Sequence, residues 1–210
     1  MKRKNAINWF GVVFGVLMIV LPFAGSWWML KVGDNAASVA ISPFNFDVKV
    51  VGVSVRSVLV DYILLFSKIT FMIAGVFSIL ASLFADRWWS AKLLRFGVMK
   101  PFWGILTLII ILIVGTIFAN AVLPKIVSGM IREGTEGGLQ IKINVPFLSG
   151  SSKSTIVTGD ATVSTEIRTG FQMAFLLAVI TAGVGIASRI YHRRFLEKEE
   201  IKKEKVEKKK

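Results

Sequence analysis

The stretch that most constrains this chain runs from Phe102 to Leu123, FWGILTLIIILIVGTIFANAVL. It carries no charge, and only Thr107, Thr116 and Asn120 are polar. At ~1.5 Å of rise per residue a helix of this length reaches ~33 Å, enough to cross a hydrocarbon core ~30 Å thick. A helix buried in a soluble domain rarely stays apolar on every side for so long. Pro101 stands where a first helical turn needs no donor, and Pro124 stands where a helix must stop. The pattern predicts a transmembrane helix over 101–123.

Three further apolar runs, 9–30, 62–85 and 170–191, have the same character and predict a bundle of four transmembrane helices. A basic start followed by an apolar run also suits a signal peptide, but 9–30 is too long and lacks a small-residue cleavage site. The composition agrees: 54% of residues are hydrophobic, and the mean hydropathy is +0.65. The net charge of +13 is concentrated at Lys2–Lys4, over 86–100 and over 189–210. Positive charge gathered beside apolar runs marks cytoplasmic loops rather than nucleic-acid binding. Residues 1–8, 86–100 and 192–210 are therefore expected in the cytoplasm, and 31–61 and 124–169 outside. All 6 tryptophans and both tyrosines fall at ends of the four runs, where amphipathic rings favour the headgroup level.

The two external segments read as strands. Phe44, Phe46, Val48 and Val50 alternate with polar residues, and the phase then slips beside Gly52, as at a bulge or tight turn. In the second segment Leu139, Ile141, Ile143 and Val145 alternate, as do Ala161, Val163, Thr165 and Ile167. Gly150–Lys153 reads as a turn, and a possible amphipathic turn covers Ile126–Ile131. Two or three strands alone are marginal in water, so the segments are expected to join in one small composite β-sheet of about four or five strands. Its apolar face would turn inward, with Lys142, Asn144, Glu166 and Arg168 outward for external contact.

Within the bundle, small residues at four-residue spacing permit close helix approach. Gly11 and Gly15, then Ala74, Ser78 and Ser82, and finally Gly170, Ala174, Ala178 and Ala182 form such faces. Lys68 is the one charge clearly inside a run; it is either a functional intramembrane charge or a lysine whose stem reaches out to the headgroups.

Catalytic machinery is hard to find. There is no cysteine, which excludes disulfides, thiolate metal sites and cysteine nucleophiles. The single histidine, His192, lies among arginines at the cytoplasmic boundary, so no triad can be argued for any serine. Neither a cofactor-binding motif nor a metal-ligand spacing is present. The Lys/Glu-rich tail reads as a solvated helix or arm.

The layout resembles claudin-like and tetraspanin-like four-span proteins in topology. The claudin-type Trp…Gly-Leu-Trp…Cys…Cys pattern and the tetraspanin Cys-Cys-Gly residues are missing, and no family residue is carried over. The expectation is a multi-pass cell-membrane protein with both termini cytoplasmic, a scaffold rather than an enzyme. Beside the lipid bilayer its partner would be a membrane or envelope protein, or a second copy. The alternative is a subunit of a transport or secretion assembly. That alternative predicts polar residues gathered on one bundle-facing stripe.

Overall fold

The computed structural model describes residues 7–34, 36–122, 124–126, 140–142, 144–158 and 161–207. The basic start Lys2–Lys4, all but Ile126 of the turn expected over Ile126–Ile131, and Leu139 and Ile143 lie outside them. Among the described residues four α-helices, α1 (Trp9–Val20), α2 (Val58–Leu83), α3 (Ser90–Ile117) and α4 (Met173–Glu207), accompany seven strands. The strands are β1 (Trp28–Val32), β2 (Ala37–Ser42), β3 (Asn45–Val50), β4 (Val53–Val55), β5 (Gln140–Lys142), β6 (Gly150–Thr158) and β7 (Ala161–Phe171). The chain divides into two compact units, one made of 1–25, 65–105 and 176–210, the other of 26–64 and 106–175.

The first unit is helical. Asn8 caps α1, its side-chain oxygen accepting from the Gly11 N–H at 3.2 Å. The Asn8 amide donates to Ser188 O at 3.1 Å on α4, and its backbone N–H donates to Ser82 O at 2.9 Å on α2. One residue thereby ties the start of α1 to two other helices. Gly11 and Gly15 let them come close: a Cβ on Gly11 would collide with the Ser82 hydroxyl, and one on Gly15 would meet Gly75 O at 2.7 Å. Phe14, fully buried, fills the matching hollow at Gly185, where a Cβ would stand 2.7 Å from the ring. The small-residue face of α2 packs fully, with Ala74, Ser78 and Ser82 at 0% exposure.

Among the described residues, three helices are long and apolar enough to cross a membrane: Val58–Leu83, Ser90–Ile126 and Met173–Arg194. The helix expected over 9–30 is shorter. It closes with a 3-10 turn over Leu21–Phe23 that contains Pro22, and Gly25 follows at φ +99°. Trp28–Val32 then forms β1, paired with β2 on one side and β7 on the other; its apolar start, Trp28–Leu30, has no periodicity to separate strand from helix. In α3 the helix starts at Ser90, so Pro101 lies inside it rather than at its first turn. Packing of Leu94, Val98 and Pro101 carries the helix past the missing donor.

The second unit holds one antiparallel sheet in the order β4-β3-β2-β1-β7-β6-β5. Both chain segments contribute, as expected, but with seven strands rather than four or five. Gly150–Lys153, expected as a turn, is strand: it pairs with Thr169–Glu166 of β7, and pairing outweighs local Gly/Ser composition. Gly170 belongs to β7 opposite Met29, not to α4, and a Cβ there would touch nothing within 4 Å. It is not part of a helix face. The β3–β4 turn is the tight turn read at Gly52, with Val51 and Gly52 both at positive φ (50° and 79°). Near β1, Trp27 is fully buried with Phe44 and Phe175 edge-on to it at 5.8 and 6.2 Å. A π-helical turn over Phe118–Val122 presents Asn120, which donates to Val145 O at 2.9 Å and accepts from Val145 N at 2.7 Å.

Candidate interaction surface

Successive strand residues point to opposite faces, so the register sorts the whole sheet. On one face Leu30, Val39, Val48 and Val55 line up across β1 to β4, and Val32, Ala37, Val50 and Val53 form the next row. Trp28 and Ile167 lie on this apolar face and are buried, whereas Val53 at its β4 end is 68% exposed. The other face is polar. One transverse row on it reads Ser54, Lys49, Ser38, Lys31, Arg168 and Ser151, crossing six strands. All of these except the half-buried Ser38 are exposed.

Three cations thus sit in one row with only a serine between two of them. Lys31 and Arg168 are direct cross-strand partners, an arrangement that disfavours folding because like charges face each other. Two carboxylates relieve the field. Arg168 grips Glu166 through two parallel hydrogen bonds of 2.9 and 2.8 Å, and Lys49 pairs with Asp47 at 3.3 Å. The Arg168 hydrogen bond holds the Glu166 carboxyl below the usual range, and Lys153, its register partner on β6, adds to that. Lys31 and Lys153 make no ion pair among the described residues. The face is rich in serine and net positive.

Of the residues expected outward, Glu166 and Arg168 stand together on this face, and the position of Lys142, opposite Thr155, falls on it too. Asn144 does not join them. Its N–H donates to Ser154 Oγ at 3.1 Å and its carbonyl accepts from Ser152 Oγ, and those serines belong to the apolar face. Lys31, Lys49 and Lys153 were not singled out from sequence. The signal for Lys31 was its alternation with Leu30 and Val32, hidden at the end of an apolar run.

The other polar groups are structural in geometry. Ser78, Ser82 and Thr181 each donate to the carbonyl one helical turn back, at 2.8, 2.6 and 2.7 Å. On α4 the packed residues are Ala174, Ala178, Thr181, Gly185, Ser188 and His192, while Ala182 is only half-buried. The face read from four-residue spacing therefore turns, after Ala178, along positions seven and eleven residues beyond Ala174. Its last member, His192, is 3% exposed rather than at a solvated boundary, and its Nε2 lies 3.1 Å from Ser90 Oγ. A serine does find the histidine, then, contrary to the expectation. Yet Ser90 is fully buried and also bonds Arg87 O at 2.7 Å, and no partner stands behind His192 Nδ1. Lys68 is half-buried on α2 and forms no ion pair among the described residues. No group of three His, Cys, Asp or Glu that could hold a metal occurs among them either.

Fold and surface define a helical protein of the membrane-associated type that carries a two-faced antiparallel sheet. No protein-family model, curated protein or solved structure matches this chain.

Proposed function

We propose that this chain is a non-enzymatic, multi-pass cell-membrane protein whose external sheet engages a membrane or envelope protein through its polar face. The observation that carries the reading is the row Lys49, Ser38, Lys31, Arg168, Ser151, with two like charges placed opposite each other. A placement that opposes folding at an exposed site is accounted for by what it contacts, since sequences tend to break local rules at functional sites. An acidic partner surface relieves the repulsion. A second copy presenting the same row across a two-fold axis would add to it, so the partner is a different protein.

In this reading α1 crosses the bilayer together with α2, α3 and α4, its Asn8, Gly11 and Gly15 contacts binding it to α2 and α4. Both termini and the segment Asp86–Lys100 are cytoplasmic, which the distribution of basic residues supports.

Two experiments test this. In the cysteine-free chain, Ser151→Cys should react with a membrane-impermeant thiol reagent on intact cells and Ala91→Cys should not; the opposite pattern overturns the orientation. Lys31→Glu/Lys49→Glu should fold normally and lose the partner that co-purifies with the wild type in mild detergent. Retention of that partner overturns the assignment of the polar face.

A further inference from the structure

The first three turns of α3 are amphipathic in a way the sheet's role does not use. Leu94, Gly97, Val98 and Pro101 face inward and are buried. Outward stand Lys92, Arg95 and Phe96, with Arg87 and Trp88 just before the helix. Trp88 is 80% exposed and Phe96 44%. The Lys92 ammonium lies over the Trp88 ring at 5.3 Å from its centroid, and Lys100 over Phe96 at 4.8 Å. Arg87, Lys92, Arg95 and Lys100 have no carboxylate partner among the described residues.

We infer that this surface, Arg87 to Lys100, binds anionic phospholipid headgroups. Four cations with no carboxylate partner among the described residues fit phosphate-bearing headgroups, and the surface potential of an anionic leaflet acts over that range. The rings choose between a lipid and a soluble acidic protein. Exposed tryptophan and phenylalanine beside lysines are what the headgroup level accommodates, and the same helix continues without a break into its apolar stretch. The cation–ring pairs hold two ammonium groups beside apolar rings rather than out in solvent. The inference is independent of the partner assigned to the sheet.

The test uses the full chain, delipidated in a neutral detergent and returned to phosphatidylglycerol or phosphatidylcholine, with bound lipid counted by native mass spectrometry. The wild type should retain phosphatidylglycerol in preference to phosphatidylcholine. Arg87→Gln/Lys92→Gln/Arg95→Gln/Lys100→Gln should lose that preference by on the order of tenfold, given the attraction each removed cation supplies near such a surface. Tail neutralisation, Lys202→Gln/Lys203→Gln/Lys205→Gln, should leave it unchanged. Should the fourfold variant fail to fold, the exposed pair Lys92→Gln/Arg95→Gln is read instead and should show a smaller loss in the same direction. Absence of preference in the wild type, an unchanged preference in the variant, or equal loss in the tail variant overturns the inference. Full competition by polyglutamate would assign the surface to an acidic protein and overturn it as well.

Discussion

Lys31 and Arg168 face each other across the β1–β7 ladder, two exposed cations joined by register rather than by any bond between them. Because like charges directly opposite disfavour pairing, Lys31→Gln should stabilise the fold by ~0.2–1 kcal/mol while weakening partner capture. Thermal unfolding in detergent and co-purification, read together, check this. A loss of both stability and capture would mean that Lys31 supports the sheet itself.

Glu166 gives the sheet a pH dependence of known sign. Its carboxyl, hydrogen-bonded to Arg168, titrates below the ordinary value of 4.5. A depressed folded-state value stabilises the protein above the unfolded-state value, and that contribution disappears as pH falls through the folded one. The unfolding temperature of the wild type should therefore fall more between neutral pH and the acid side of 4.5 than that of Glu166→Gln. The pair is open to solvent, so the difference should shrink as salt is added. Identical acid profiles would remove the pair from the stability of the sheet.

Helix α4 offers a graded packing test. Ala178 is fully buried, Ala182 is half-buried, and a Cβ on Gly183 would meet nothing within 4 Å. Ala178→Leu should destabilise by ~1–3 kcal/mol through overpacking, with Ala182→Leu clearly milder. Gly183→Ala should stabilise by up to ~1 kcal/mol, the ordinary helix-propensity gain. Equal effects at Ala178 and Ala182 would contradict the buried face drawn here.

Val51 occupies the first position of the β3–β4 turn at φ 50°, although a β-branched side chain disfavours that region. Val51→Asn should raise stability by ~1 kcal/mol or more, because Asn-Gly suits a turn with two positive φ values and the strain of valine there is of that order. Thermal midpoints compared in one detergent decide it, and a lower midpoint would mean that the exposed valine makes contacts which outweigh the strain.

Sequence reading reached the elements whose periodicity is clean. The two-residue turn at Gly52 follows from the phase slip between Val50 and Val53, and β7 from strict alternation over Ala161–Ile167. It failed where local composition and tertiary pairing disagree. Trp28–Leu30 read as the end of a helix because so short an apolar stretch has no periodicity to tell strand from helix, and the remainder of β1, Lys31 and Val32, fell beyond the run. Gly150–Lys153 read as a turn because its Gly/Ser composition is that of a turn, and its pairing with Glu166–Thr169 of the next strand leaves no mark on those four residues. The meeting of Ser90 with His192 was invisible for the same reason, since only the packing of α4 brings them together. The polar row was half legible: Arg168 could be named, but Lys31 and Lys49 become its neighbours only once the register is known.

The order of strands also sets a timetable for biogenesis. Strands β1 to β4 are consecutive hairpins and can close as soon as they leave the ribosome, but β1 has β2 on one side only until β7 has been made. Through the synthesis of α2 and α3 the nascent chain therefore carries an open strand edge, the kind of surface that recruits stray strands. Lys31, the fourth of the five residues of β1, is a charge of the sort that discourages such pairing. The join between β1 and β7 spans more of the chain than the hairpins on either side of it, and pairings of long sequence separation are slow to form.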